Sequence, residues 1–291
     1  MKKTFLAIFM GVLVVTSCEW WLNSNRNNND ADDEWAEEAD VQLDDEADTL
    51  VTTIYSYKYN QDKVEVNFQI EYPTGGCNKI LRNAIREFIS EYFGGTYEGS
   101  LNDGQELVNF YGQKNKARLK EMREDDSVDM DEDYINGYWR NVEVNKIFET
   151  DKLITFGWME DIYYNGAHGN PAYYGITFRK SDGRRFSKEM MTNIYSEEWY
   201  SIVKEGLRNY FSNDGNVAIE TDEDLKEYIL TDDNVNNLPL PQNPPYVTED
   251  GVKFTYQPYE ISFYAAGMPE FTVSKADMRP FLNVTAKRML E

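Results

Sequence analysis

The stretch VEVNFQIEY, Val64–Tyr72, decides the expected fold because its side chains alternate strictly along the chain. Apolar and aromatic residues occupy the even positions and acidic or amide residues the odd ones, as in a strand with one buried face. A turn sequence, PTGG, follows at 73–76, and apolar residues then recur at helical spacing from Ile80 to Tyr92. Gly94 and Gly95 mark the end of that helix. We therefore expect an amphipathic helix lying on a sheet.

Further strands and helices are predicted along the chain without a regular alternation. The predicted strands are 138–148, 153–164, 173–179, 252–256 and 271–273, and the predicted helices are about 105–122 and 197–211. Because no repeating strand-helix-strand unit is present, an α+β fold is favoured over a doubly wound sheet. We expect two small mixed sheet-and-helix subdomains packed together.

The first 17 residues are typical of a lipoprotein signal peptide. Lys2 and Lys3 precede an apolar run, Phe5–Val15, which is shorter than the roughly 20 residues needed to span a bilayer. The sequence Val-Thr-Ser-Cys at 15–18 resembles a lipobox, which predicts that Cys18 is lipidated and becomes the mature N-terminus. The alternative is an ordinary cleaved signal followed by a chance cysteine.

Residues 18–49 are predicted to form an acidic tether. From Glu19 to Leu50 the chain has twelve acidic residues and one base, Arg26, and the whole chain has a formal net charge of −23. Such a segment repels itself and has little to bury. The acidic balance argues against nucleic acid, whose phosphates need a basic face. We expect an outer-membrane lipoprotein, periplasmic or surface-exposed, that touches the membrane through its lipid only.

No residue pattern singles out catalysis, a metal site or a cofactor. His168 is the single histidine, no Gly-x-Ser-x-Gly sequence is present, and zinc hydrolases usually need more histidine or cysteine ligands.

Cys77 is expected to pack at a helix start, with a Cys77–His168 dyad as a formal alternative. The run Asp129-x-Asp131-x-Asp133 alternates as in calcium loops, but Tyr134 and Arg140 replace the expected glycine and glutamate. A glycosidase site formed by a pair of carboxylates remains an alternative, because no spacing in the sequence singles out such a pair.

His168 lies in the stretch YYNGAHGNPAYYG, Tyr163–Gly175. Flanking glycines favour a tight turn, for which Gly166, Gly169 and Pro171 are the predicted structural residues. Histidine in such a turn can bond backbone groups and pack on an aromatic ring, so a structural role is favoured over contact with a partner, and both over catalysis.

Aromatic residues are the candidate binding residues. Together with His168 they are Tyr163, Tyr164, Tyr173, Tyr174, Tyr259 and Tyr264. The first four come as adjacent pairs on predicted strands, where alternation turns one ring of each pair inward and the other outward. An outward tyrosine can stack on a sugar ring or anchor a protein interface. A tyrosine-rich face without a partner is the alternative.

The segments 165–169 and 250–269 resemble two signatures of the extracytoplasmic domain family shared by the anti-sigma factor RsiV and the peptidoglycan deacetylase PdaC. The segment NGAHG at 165–169 resembles the family's Gly-Gly-Ala-His-Pro, with its first and last positions changed and the proline displaced to Pro171. The family's closing pattern of strand, Pro-Tyr-Glu and Tyr-Ala-x-Gly is resembled by 250–254, 258–261 and 264–269, which include Tyr259, Tyr264 and the turn residue Gly267.

The resemblance implies a companion α+β domain at 50–136 and an RsiV/PdaC-like α+β domain at 137–291. In RsiV such a module binds lysozyme, and in PdaC it accompanies a deacetylase domain. Neither a deacetylase sequence nor a sigma-binding segment with a membrane span is recognisable here, so the resemblance implies only the binding module.

We therefore expect a non-enzymatic, lipid-anchored envelope protein that needs no cofactor. Its expected partner is a cationic wall-active protein such as lysozyme, because an acidic body attracts a basic partner over long range. The alternatives are a peptidoglycan-binding or glycan-binding module that uses exposed tyrosines and a carboxylate-based wall hydrolase.

Overall fold

The alternating stretch forms the second strand of a five-stranded sheet. The strands are β1 (Val51–Gln61), β2 (Val64–Gly75), β3 (Tyr138–Glu149), β4 (Leu153–Tyr164) and β5 (Asn170–Arg179), and they lie side by side in chain order. β2 and β3 pair in parallel, and the other neighbours pair antiparallel. Strand β1, which the sequence did not predict, lies at one edge.

Two helices cover one face of this sheet. They are α1 (Lys79–Tyr92) and α2 (Gly104–Asp129). Asn78 caps α1 by accepting a hydrogen bond from the Leu81 amide, and Cys77 is buried directly before this cap. The predicted helix at about 105–122 continues further, to Asp129 of α2, and Asp126 in this continuation accepts a hydrogen bond from the Tyr138 hydroxyl.

A second core surrounds Trp199, which is fully buried. It is built from α3 (Glu197–Gly215), α4 (Asp222–Lys226), β6 (Tyr246–Val247), β7 (Val252–Thr255), β8 (Glu270–Val273), α5 (Lys275–Met278) and α6 (Val284–Leu290). The three strands form an antiparallel sheet in the order β6-β7-β8. The predicted α+β class, with two mixed sheet-and-helix parts, is therefore confirmed.

The two sheets meet through a pair of buried threonines. The Thr155 hydroxyl donates to the Val247 carbonyl (2.7 Å), the Val247 amide donates to the Thr177 hydroxyl (2.7 Å), and the two hydroxyls are 2.8 Å apart. Gly175 lies beside them, and a Cβ there would come within 2.3 Å of the Tyr246 ring. The second sheet thus covers the β5 end of the face opposite α1 and α2.

The structure is a computed structural model that describes residues 48–129, 135–215, 218–230 and 235–291, and these belong to one compact unit. The predicted signal peptide, Cys18, the tether up to residue 47 and residues 130–134 lie outside the described residues. The predicted division between residues 136 and 137 falls between α2 and β3, so the five-stranded sheet takes strands from both sides of it. No helix in the described ranges is both long and apolar enough to cross a membrane.

Glu149 at the end of β3 joins three parts of the chain. Its carboxylate accepts hydrogen bonds from the Leu50 amide (2.9 Å), the Lys146 ammonium (2.7 Å) and the Lys180 ammonium (2.8 Å). Burial alone would raise the pKa of Glu149, but the bonds from Lys146, Lys180 and Leu50 hold this pKa below its usual value.

A pKa lowered in the folded state gives stability that is present above the unfolded pKa, about 4.3, and is lost as pH falls through the folded pKa. We expect Glu149→Gln to lower the free energy of unfolding by about 1–2 kcal/mol at neutral pH. Urea unfolding of both proteins from neutral pH down to about pH 3 should show the difference shrinking in acid. A difference that stays constant with pH would contradict this role of Glu149.

Candidate binding surface

The face of β1–β4 that points away from α1 and α2 carries polar side chains, and we call it the open face. The strand register sets its residues in cross-strand rows. These rows are Ser56, Gln69, Glu143 and Met159, continued by Tyr173 of β5; Lys58, Asn67, Asn141 and Asp161, continued by Pro171 of β5; and Asn60, Glu65, Trp139 and Tyr163.

Within these rows, three carboxylates give the open face a negative charge. Glu65 accepts a hydrogen bond from the Asn60 amide group (3.3 Å), Glu143 one from Asn145 (2.6 Å), and Asp161 one from the Trp139 indole (2.7 Å). None of the three forms an ion pair with another residue in the described ranges. Lys58 is the one base in the three rows, so the carboxylates outnumber it.

Exposed apolar side chains lie among these carboxylates. Met159, in the same row as Glu143, is 50% exposed, and Ile147 is 42% exposed. Both lie near Gly157, where the absence of a Cβ leaves room for the Tyr173 hydroxyl and the Ile147 side chain. An apolar centre surrounded by polar groups is the usual arrangement of a protein-binding surface.

Two amide oxygens at the middle of the open face have no hydrogen-bond partner among the described residues. The Oδ1 atoms of Asn67 and Asn141, neighbours in the β2–β3 register, are buried and accept no hydrogen bond from the described part of the chain. An unsatisfied buried acceptor costs about 1–3 kcal/mol.

An aromatic cluster of His168, Tyr259 and Tyr264 lies at the turn between β4 and β5. The exposed His168 ring stacks on Tyr264 at a centroid distance of 3.8 Å, and its Nε2 is 3.3 Å from the Tyr259 hydroxyl. His168 Nδ1 lies 2.8 Å from the Gly169 carbonyl oxygen, to which Tyr264 also donates a hydrogen bond. Three of the residues predicted from sequence are therefore in contact.

Tyr259 is an exposed member of the aromatic cluster, whereas Tyr264 is half-buried. Tyr259 is 56% exposed as a residue, and its backbone has φ of +66°, which is unusual for a residue with a side chain. The cluster borders the open face, because a Cβ at Gly169 would lie 2.9 Å from the Asp161 carboxylate.

The four strand tyrosines are less exposed than His168 and Tyr259. Tyr174 packs in the first core, and Tyr163 is 8% exposed and stacks on Trp139 at 4.1 Å. Tyr164 is half-buried on the helix side, 5.7 Å from the Arg118 guanidinium. Tyr173 is half-buried, and its backbone pairs with the Gln257 side chain.

The predicted turn residues have different roles. Gly267 has φ of +69° directly after a short helical turn, which favours glycine. Gly169 avoids a clash with Asp161, whereas nothing lies within 4 Å of a Cβ built on Gly166. Pro171, predicted in the turn, is instead the second residue of β5 and pairs with Asp161. A proline is tolerated there because β5 lies at a sheet edge.

Sequence reasoning missed most of the open face. Glu65, Glu143 and Asp161 were not candidates, although the polar odd positions of VEVNFQIEY were a signal that one face of β2 stays uncovered. Trp139 was likewise missed, because its stack on Tyr163 depends on the pairing of β3 with β4.

Comparison with known proteins gives a family of unknown function. Residues 186–276 match the profile of DUF3298, described as a protein of unknown function. A crystal structure of a DUF3298 family member from Bacteroides fragilis is 21% identical, with a TM-score of 0.63, and the alignment covers 83% of this chain and 98% of that one. A DUF3298 family protein from Pseudomonas aeruginosa is 13% identical, with a TM-score of 0.54, and the alignment covers 81% of this chain and 95% of that one.

A comparison with curated proteins found no match. At these identities the structural likeness shows a shared fold alone. The chain therefore contains a DUF3298-type segment at 186–276, within a fold similar to those of solved DUF3298 proteins.

Proposed function

We propose that this chain is a lipid-anchored, non-enzymatic binding protein of the cell envelope whose open face holds a cationic wall-active protein of the lysozyme type. The observation that carries the proposal is the set of carboxylates Glu65, Glu143 and Asp161, which lack ion-pair partners among the described residues and share one face of the sheet with the exposed Met159. The sequence resemblance to lysozyme-binding modules supports the same partner.

The open face offers suitable chemistry for a basic protein. A guanidinium group can bond a carboxylate through two parallel N–H groups. With strands about 4.8 Å apart and about 3.3 Å per residue, the open face spans on the order of 400 Å². A stable interface buries about 800 Å² per partner, so the adjacent aromatic cluster would have to contribute.

The location in the envelope rests on the sequence. A signal peptide ending at Cys18 would attach lipid there, and the acidic tether at 18–49 would separate the lipid from the folded body. Such an anchor would place the open face where wall-active proteins occur, either in the periplasm or at the cell surface.

A glycan-binding module is the second candidate function, and the exposure of Tyr259 favours it. The Tyr259 ring is open to solvent next to the stacked rings of His168 and Tyr264. Flat rings with polar tips stack well on sugars. In this case peptidoglycan fragments would bind at the aromatic cluster, with little contribution from the carboxylates.

Salt separates the two candidates in a calorimetric titration of residues 48–291. We expect lysozyme to bind at about 50 mM salt and to bind at least tenfold more weakly at about 500 mM, because added salt screens charges on the open face. Absence of heat at both salt concentrations would refute the first proposal. Salt-independent binding of a soluble peptidoglycan fragment would support the second candidate, and cleavage of that fragment would contradict a non-enzymatic protein.

A further inference from the structure

A groove separate from the open face runs between helix α3 and the edge strand β8. Its main hollow has a volume of about 840 Å³, with Ile202, Phe271 and Phe281 among its apolar lining, and a hollow of about 430 Å³ continues it past Asn209. The helix approaches the strand closely, because a Cβ at Gly206 would lie 2.5 Å from the Phe271 Cβ.

Strand β8 presents an unpaired backbone edge to this groove. The Tyr256 amide donates to the Pro269 carbonyl (2.8 Å), and in an antiparallel pair this register directs the backbone groups of Phe271 and Val273 toward β7. The N–H and C=O groups of the intervening Thr272 point away from β7. Thr272 is exposed and lines the groove. Its backbone N–H and C=O groups form no hydrogen bond within the described ranges.

The side chains that line the groove carry negative charge only. They include Glu197, Glu198, Glu205, Glu270 and Asp277, and none of the lining residues is lysine or arginine. Glu270 is paired with Lys253, and Asp277 accepts a hydrogen bond from Ser274. The three glutamates of α3 form no ion pair with a described residue, so their charge is available to a basic ligand.

We propose that this groove binds an extended, lysine- or arginine-rich segment of a partner protein, which adds as a strand beside β8. Main-chain bonds to Thr272 would fix the segment, and the α3 glutamates would pair with its basic side chains. From Glu197 to Asn213 the helix rises about 24 Å, which matches about seven extended residues. A second copy of the chain or its own acidic tether would place carboxylates against carboxylates, so neither is the expected occupant.

The charge requirement can be measured by fluorescence anisotropy with a labelled seven-residue peptide of alternating lysine and valine. We expect Glu198→Gln with Glu205→Gln to weaken binding of this peptide about tenfold, since each lost charge pair contributes up to about 1 kcal/mol. The matched control is Glu87→Gln with Glu121→Gln, which removes two exposed charges from α1 and α2. Equal binding by both variants, or equal binding of a glutamate-valine peptide, would overturn the proposal.

The added strand is tested by comparing Thr272→Pro with Thr272→Ala. Proline removes the outward N–H and leaves the bonds to β7 in place, so we expect it to weaken peptide binding at least tenfold while alanine has little effect. If melting shows that the proline variant is unfolded, Ser201→Trp, at an exposed position in the groove, should block the peptide instead. Unchanged binding in the folded blocking variant would refute strand addition. The substitutions Glu65→Lys and Glu143→Lys on the open face should leave the affinity for this peptide unaltered. Each of the two binding proposals can therefore be refuted independently of the other.

Discussion

Reversing two charges on the open face, Glu65→Lys together with Glu143→Lys, is expected to weaken lysozyme binding about 100-fold. Each reversal replaces an attraction to a basic partner with a repulsion, and a tenfold loss per site corresponds to about 1.4 kcal/mol. Both residues are half-buried on strands β2 and β3, and both are acceptors only in hydrogen bonds to neighbouring asparagines. Removal of these bonds should therefore not unfold the sheet.

The matched control is Glu87→Lys together with Glu121→Lys. These residues are exposed on α1 and α2, which cover the opposite face of the sheet, and the change in net charge is the same. Calorimetry at low salt should show near-normal affinity for the control. If both double variants lose affinity equally, the attraction comes from total charge and the open face is not the binding site.

The largest expected loss of stability follows from Trp158→Ala, about 4 kcal/mol in the free energy of unfolding. Trp158 is 1% exposed at the centre of the first core. It contacts Tyr92 and Phe93 of the α1 end at centroid distances of 5.5 and 4.9 Å, and it stacks on Tyr174 of β5 at 6.1 Å. Alanine would leave a large cavity where α1 packs on β4 and β5.

Trp158→Phe separates packing from polarity at the same position. The buried Trp158 indole N–H has no hydrogen-bond partner in the described part of the chain, so its removal should cost little. We expect a loss below about 1.5 kcal/mol by guanidinium unfolding, because most of the apolar volume is kept. A loss below 1 kcal/mol for the alanine variant would contradict the central packing role of Trp158.

Elements with strong periodicity were predictable from sequence. The alternation in 64–72 and the helical spacing in 80–92 correspond to β2 and α1, and the predicted strand at 153–164 has the observed bounds of β4. In each case one face is apolar, so local sequence and burial agree.

Strand β1 was not predictable in the same way. Its inward residues are Tyr55, Tyr57 and Tyr59. Its other face, at the sheet edge, carries polar residues and the exposed Ile54. The tyrosines pack under α2, where Gly104 and Gly112 leave room for the rings of Tyr55 and Tyr57. This fit depends on a helix more than 40 residues away in sequence.

The aromatic cluster and the open face also differ in how far the sequence could predict them. The contact of His168 with Tyr259 and Tyr264 joins two segments that the sequence signatures had already marked. The open face depends instead on which side of the sheet α1 and α2 cover. Single strands such as 138–148 show which residues share a face, but they do not show whether that face meets solvent.

The central claim, that a cationic protein binds the open face, is tested most directly at Met159. Its side chain is half exposed in the row that holds Glu143, and its ¹³C-labelled methyl signal can be assigned by comparison with Met159→Leu. We predict that lysozyme shifts this signal until binding saturates, with weaker shifts at high salt. Saturable lysozyme binding without any change in the Met159 signal would contradict the claim.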